Sequence, residues 1–111
     1  DVYIMTGSKR PNKNVLPFGY NVLPQEVKTT FTTLVNRSGL QQITPVQQGR
    51  VYGIYHHFYN HPYNIIGMEI LARDLYPQAF SKLDPTADFH QIITRFTKLP
   101  DAPVTLSYAQ Q

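Results

Sequence analysis

Apolar residues in this chain fall into short runs and helical stripes, punctuated by proline, glycine and asparagine. Val2, Tyr3, Ile4 and Met5 form a short apolar run that ends at Gly7, the pattern of a buried strand. Residues 8–21 have no periodicity and carry Pro11, Pro17, Gly19, Asn12, Asn14 and Asn21, which is loop chemistry over more than the usual ~4 to 6 residues. Val15, Leu16, Phe18 and Tyr20 give this loop apolar anchors, and long ordered loops after strands tend to be functional. Pro24, Gln25 and Glu26 then open a helix, with Val27, Phe31, Leu34 and Val35 at the helical period and Ser38-Gly39 as its stop. A polar connector over residues 40–48, anchored by Ile43 and Val46 around Pro45, leads to a second strand over residues 51–55.

The strand at 51–55 runs into an aromatic, His-rich loop, His56-His57-Phe58-Tyr59-Asn60-His61, before Pro62 opens a helix predicted over residues 62–76. That helix is apolar on more than one face, which predicts packing against both a sheet and a neighbour. Asp84-Pro85 starts a third helix in cap-then-proline order, and Phe89, Ile92, Ile93 and Phe96 form its i, i+3, i+4, i+7 stripe. A last, edge strand is predicted at residues 104–108. The order strand, loop, helix, strand, helix, helix predicts an α/β fold, a single three-layer α/β/α lobe with a small, mainly parallel sheet. In such sheets ligands settle outside the carboxyl ends of the strands, which directs attention to the loops after Gly7 and Tyr55.

Composition narrows the function classes. At 111 residues the chain is long enough for one core and too short for two, and 41% apolar with 15% charged residues is globular. Uncharged polar residues replace the missing charge, a usage common in exported proteins. The absence of cysteine excludes disulfides, thiolate metal sites and cysteine nucleophiles. No window reaches the ~18 consecutive apolar residues of a membrane span. Asp1 begins directly at the strand-like run, without an initiator Met or a secretory signal, and is expected to be a cut inside a longer protein.

The net charge of +3 is modest, and Lys9, Arg10 and Lys13 make the one local basic cluster, read first as a solvated loop and second as an anion site. Three imidazoles, His56, His57 and His61, invite a metal reading. Adjacent His56 and His57 at a strand exit point to opposite faces, however, and no carboxylate lies nearby to complete a metal site. Ordinary histidines are the better reading, with one available to bond a ligand's carboxylate or phosphate. No nucleophile elbow, phosphate loop, dinucleotide fingerprint or zinc-protease motif is present, so no enzyme is expected in this chain. Helix capping explains Asp84 and Asp88, and a surface ion pair explains Glu69 with Arg73. Without a dense Lys/Arg stripe or a glycine-and-aromatic sheet motif, no nucleic acid is expected as a partner. Among the eight tyrosines, Tyr3, Tyr52 and Tyr63 suit a core, whereas ligand contact and packing are equally open for Tyr20, Tyr55 and Tyr59.

The run VYGIYHHFYNHPYNIIGMEILARDLYPQAFSKLDPTADFHQIITRF, with GRVY, FYNHPYN, ARDLYP and FSKLDP in that order, resembles the C-terminal lobe of periplasmic substrate-binding proteins of the iron-siderophore, haem and cobalamin ABC importers. The opening DVYIMTGS and the segment LPQEVKTTFTTLVNRSGLQQITPVQQGRVY resemble the same lobe, so the likeness covers nearly the whole chain. It implies that residues 1–111 are half of a two-lobed protein whose other lobe and linking helix lie elsewhere. The implied function is to capture an iron chelate or related metal complex, with ferric siderophore, haem or cobalamin as cargo and no intrinsic cofactor, and to deliver it to an ABC permease. The implied location is periplasmic, or extracytoplasmic with a lipid anchor. The resemblance places Ser8, Lys9, Arg10 and Tyr20 on the cleft wall with Tyr55, His56, Phe58, Tyr59 and Asn60, and makes Lys9 and Arg10 partners for an anionic chelate. Family members dock through one acidic residue per lobe, and Glu26 is the candidate here, with helix capping as the conservative reading. A lone lobe is also expected to self-associate through the apolar surface that meets its partner lobe. Two other classes remain open from the residues alone: an interaction domain that uses the aromatic loop on a protein or nucleic acid, and an accessory domain of a metal-cluster enzyme.

Overall fold

A computed structural model describes residues 1–10 and 15–110, and for Asn60 the backbone alone. Pro11, Asn12, Lys13 and Asn14 of the long loop therefore lie outside the described residues, as does Gln111. Strands β1 (Tyr3–Gly7) and β3 (Val51–Tyr55) pair in parallel, and β5 (Ser107–Ala109) joins β3 antiparallel, so the sheet order is β1-β3-β5. A separate two-stranded ribbon pairs β2 (Gly19–Tyr20) with β4 (Val104–Thr105). The helices are α1 (Pro24–Val35), the short α2 (Thr44–Gln47), α3 (Asn64–Leu75) and α4 (Pro85–Phe96). The class is α/β, and the sheet is mixed because its third strand runs antiparallel.

Two apolar clusters hold the layers together. On one face Met5 and Val51 pack with Val27, Phe31, Leu34 and Val35 of α1, together with Leu16 and Phe18 from the long loop. On the other, Ile54 meets Ile66 and Ile70 of α3, Phe89 and Ile93 of α4, and Val104 and Leu106 from the C-terminal segment. The outer residues of β1 are less covered: Ile4 is 37% exposed and Thr6 is exposed.

Local chemistry sets the helix ends, sometimes away from the positions that sequence pattern predicts. At α1, Pro24 occupies the first turn and the Glu26 carboxylate accepts a hydrogen bond from the Leu23 N–H at 3.3 Å. The helix ends at Val35 with Asn36 as its C-cap, short of Gly39, whose φ of +90° serves instead the entry into a 3₁₀ turn at Leu40–Gln42. That turn and α2 occupy the polar connector that the sequence predicts over residues 40–48. The predicted start of α3 at Pro62 also moves: a 3₁₀ turn spans His56–Asn60, and the helix begins at Asn64 after His61 Nδ1 accepts from the Tyr63 N–H at 3.2 Å. Asp84 caps α4 as expected, accepting from the Ala87 N–H at 3.1 Å. Arg50 pins the start of β3 to the other end of α3, donating to the carbonyls of Asp74 and Leu75 at 3.2 and 3.5 Å.

Two expectations give way to tertiary context. Glu69 makes no ion pair with Arg73; it turns toward α4, where burial first and the Asp88 carboxyl second push its proton affinity up. Phe96, the last member of the α4 stripe, is 76% exposed because the helix ends there, beyond the reach of the sheet. The second apolar face of α3 is also partly open, with Ile65 49% and Met68 62% exposed.

The predicted apolar helix α3 ends on a buried carboxylic acid. Asp74 is 8% exposed, and burial raises its pKa from 3.8 to about 6, only partly offset by Arg73. Between those two values the folded chain holds a proton that the unfolded chain releases, so this group's contribution to stability is full below pH 3.8 and is lost as pH rises through about 6. Urea unfolding of wild type and Asp74→Asn across that window is expected to show the variant gaining about 2–3 kcal/mol relative to wild type by pH 7. A difference that stays flat with pH would show that Asp74 ionises freely in the fold.

Candidate functional site

The register of the parallel pair puts Gly7 opposite Tyr55, so β1 and β3 end level and their following residues emerge side by side. Two glycines then bring the long loop back across the sheet. A Cβ on Gly7 would stand 2.7 Å from Leu16 Cβ, and one on Gly53 would stand 2.7 Å from the Phe18 ring, closer than carbon atoms pack. Leu16 and Phe18 are each 1% exposed, so their close seating on the strands depends on both missing side chains. The Lys9 N–H donates to the Phe18 carbonyl at 3.0 Å, fixing the outgoing and returning arms of the loop to each other.

Beyond this seat the chain forms β2 at Gly19–Tyr20, where Gly19 has φ +141° and Asn21 φ +60°, backbone conformations that suit a turn. Thr105 donates from β4 to the buried Val22 carbonyl at 2.8 Å, and Tyr20 donates its hydroxyl to the Pro100 carbonyl. The ring of Tyr20 is thereby set as a wall.

The outcome is an open cavity of about 340 Å³ at the carboxyl ends of β1 and β3. Ser8, Lys9 and Arg10 form one side, Phe18, Gly19 and Tyr20 the second, and Tyr55 with His57 the third. Four predicted cleft residues besides Tyr20 thus meet here: Ser8, Lys9, Arg10 and Tyr55. Lys9 and Arg10 are exposed, and among the described residues no acidic side chain lines the cavity. Burial pushes the Tyr55 phenol above its ordinary range, which keeps it a neutral hydrogen-bonding group, and its ring meets those of His57 and Phe58 edge-on at 5.4 and 5.3 Å. The lining could bond an anion through the Lys9 ammonium, the Arg10 guanidinium, the His57 imidazole and the Ser8 and Tyr55 hydroxyls, beside aromatic faces.

The remaining predicted residues go elsewhere. His56 meets His57 edge-on, with ring centroids 5.3 Å apart, but has its Nδ1 3.3 Å from Thr6 Oγ1 and lines a second, apolar cavity of about 460 Å³ with Phe58, Tyr59, Gly67, Met68 and Leu71. Phe58 is 6% exposed and packs so closely on Gly67 that a Cβ there would lie 2.9 Å from its ring, so its primary work is to seat α3. Tyr59, 71% exposed, stands on the rim of that apolar cavity; Tyr55 lines both. The side chain of Asn60 lies outside the described residues. His57, one of the three histidines of which the sequence reading leaves one available to a ligand's carboxylate or phosphate, joins the polar cavity instead of its neighbour His56. Glu26 sits at the start of α1 with its Oε2 3.4 Å from Lys9 Nζ. Among the described residues no group of three or more His, Asp or Glu side chains could hold a metal ion.

No family model matches the chain, and no curated protein matches it in sequence. Among solved structures it is similar to the TroA-like periplasmic binding protein FepB from Veillonella parvula, with a TM-score of 0.88 at 19% identity. The likeness covers all of this chain and 32% of that one, so the chain spans about a third of the length of the protein it matches. The fold is therefore that of one lobe of a TroA-like binding protein.

Because the seat of the long loop has no room for a side chain at Gly7, Gly7→Ala is expected to push residues 16–18 off the sheet and to cost about 1–3 kcal/mol. Urea unfolding measures the loss, and the tyrosine signals of Tyr20 and Tyr55 in NMR spectra should shift with it. Unchanged stability and unchanged tyrosine signals would contradict the seating.

Proposed function

We propose that this chain is the C-terminal lobe of an extracytoplasmic solute-binding protein that captures an anionic metal chelate and delivers it to an ABC permease. The observation that carries the reading is the meeting of Lys9, Arg10 and His57 with Tyr20 and Tyr55 around one open cavity at the carboxyl ends of a parallel strand pair. The likeness of fold to a periplasmic binding protein supports it. A second lobe would close the other side of the cleft, and the chain would act in the periplasm or at the outer face of a membrane as a lipoprotein. Among the described residues no helix is long and apolar enough to cross a membrane.

The role is capture, not catalysis. A ferric siderophore with unneutralised catecholate or carboxylate oxygens fits two adjacent cations best, since charge-assisted bonds to such oxygens are the strong ones. Haem, through its propionates, and cobalamin, through its phosphate, are the other cargoes in this class. The aromatic walls would stack on a flat ligand, and Tyr55, neutral and half-buried, would donate a hydrogen bond. Glu26, exposed at the first turn of α1, is the proposed contact for a basic residue of the permease.

Intrinsic fluorescence tests this directly, because eight tyrosines lie in this chain and two of them line the cavity. Titration of the full-length protein with ferric siderophores and haem is expected to give saturable quenching by at least one of them. Arg10→Gln is expected to weaken that ligand about tenfold or more. An affinity unmoved by Arg10→Gln would place the ligand elsewhere, and no quenching by any chelate would remove the reading.

A further inference from the structure

Glu26 stands just outside the cation pair of the polar cavity, and its two carboxylate oxygens do different work. Oε1 accepts from the Leu23 N–H at 3.3 Å and completes the start of α1. Oε2 lies 3.4 Å from Lys9 Nζ, with the two side chains 41% and 55% exposed. Lys9 itself lines the cavity, and its backbone is held by the Phe18 carbonyl, so the lysine reaches Glu26 from a fixed base. One of the two cations that give the cavity its charge is thus already paired within the chain.

We propose that Glu26 is an internal competitor for the ligand-binding lysine: an anion entering the cavity takes Lys9 from Glu26 and leaves the carboxylate unpaired at the start of α1. This rests on the reading of the cavity as an anion site. The energetics allow the exchange, because an exposed ion pair of this kind is weak and screened by salt, whereas a multivalent anion meets Lys9, Arg10 and His57 together. The exchange also makes cavity occupancy readable from outside. A loaded chain presents a free carboxylate where an empty chain presents a neutralised one, so a basic partner surface at this helix start binds the loaded form better. By linkage, such a partner tightens the anion by the same factor.

Glu26→Gln isolates the charge, because glutamine at this position also serves the N-terminal cap and keeps α1 intact. Calorimetric titration of the full-length protein with citrate, at about 0.01 M and about 0.15 M ionic strength, measures the effect. Glu26→Gln is expected to raise citrate affinity by about two- to fivefold at the lower ionic strength, less at the higher, and by almost nothing in a Lys9→Gln background. Unchanged affinity would overturn the proposal, as would an equal gain with and without Lys9. A loss of affinity would show that Glu26 positions Lys9 for the anion, and would also overturn it. Each of these leaves the cavity standing as an anion site. Absence of citrate binding in every variant would overturn both the competition and the anion reading beneath it.

Discussion

Everything at the cavity depends on two glycines that let a loop lie flat against a sheet. Gly7 ends β1 and Gly53 sits in the middle of the central strand, and the space that their missing side chains leave is filled by Leu16 and Phe18. Burying those two side chains contributes roughly 1.5–3 kcal/mol each, enough to hold the returning arm of a long loop in place. With the arm seated, Tyr20 is carried to the mouth of the parallel pair, and β2 finds β4. Lys9 and Arg10 leave β1 on the opposite side of the same space. The cavity is therefore a consequence of close packing at its floor, and its polar groups sit on backbone already fixed by apolar contacts.

The molecule separates its aromatic loop into two kinds of surface. The 3₁₀ turn that follows β3 places His57 beside the cations and His56 at an apolar groove under α3. Tyr55 stands between them and lines both. The polar side gathers Lys9, Arg10 and His57 beside the rings of Tyr20 and Tyr55. The apolar side, bordered by exposed Met68 and Tyr59 and by the open outer residues of β1, is sheet and helix surface left without a covering layer.

Much of this was legible in the residue pattern. Strands β1 and β3, the starts of α1 and α4, and the meeting of the loops after Gly7 and Tyr55 at one end of the sheet all follow from apolar runs, prolines and local capping. These are local signals, set by a few neighbouring residues. What escaped is long-range. The tail splits at Leu106, so that Val104–Thr105 pairs with β2 while Ser107–Ala109 pairs with β3, and no local feature announces the division. Glu69 prefers a half-buried place beside Asp88 over the helical neighbour Arg73 because α4 packs there. The cleft residues divided for a similar reason: Phe58 was claimed by Gly67 in α3, a contact that depends on how two elements meet.

The central claim is that ligand enters at the strand ends, between the arms of the long loop and Tyr55. Backbone amide chemical shifts followed during titration with a diamagnetic gallium analogue of a ferric siderophore test it most directly. The account predicts shifts centred on Ser8, Lys9, Arg10, Gly19, Tyr20, Tyr55 and His57. Shifts confined to Tyr59, Gly67, Met68 and Leu71 would put the ligand in the apolar groove and contradict it.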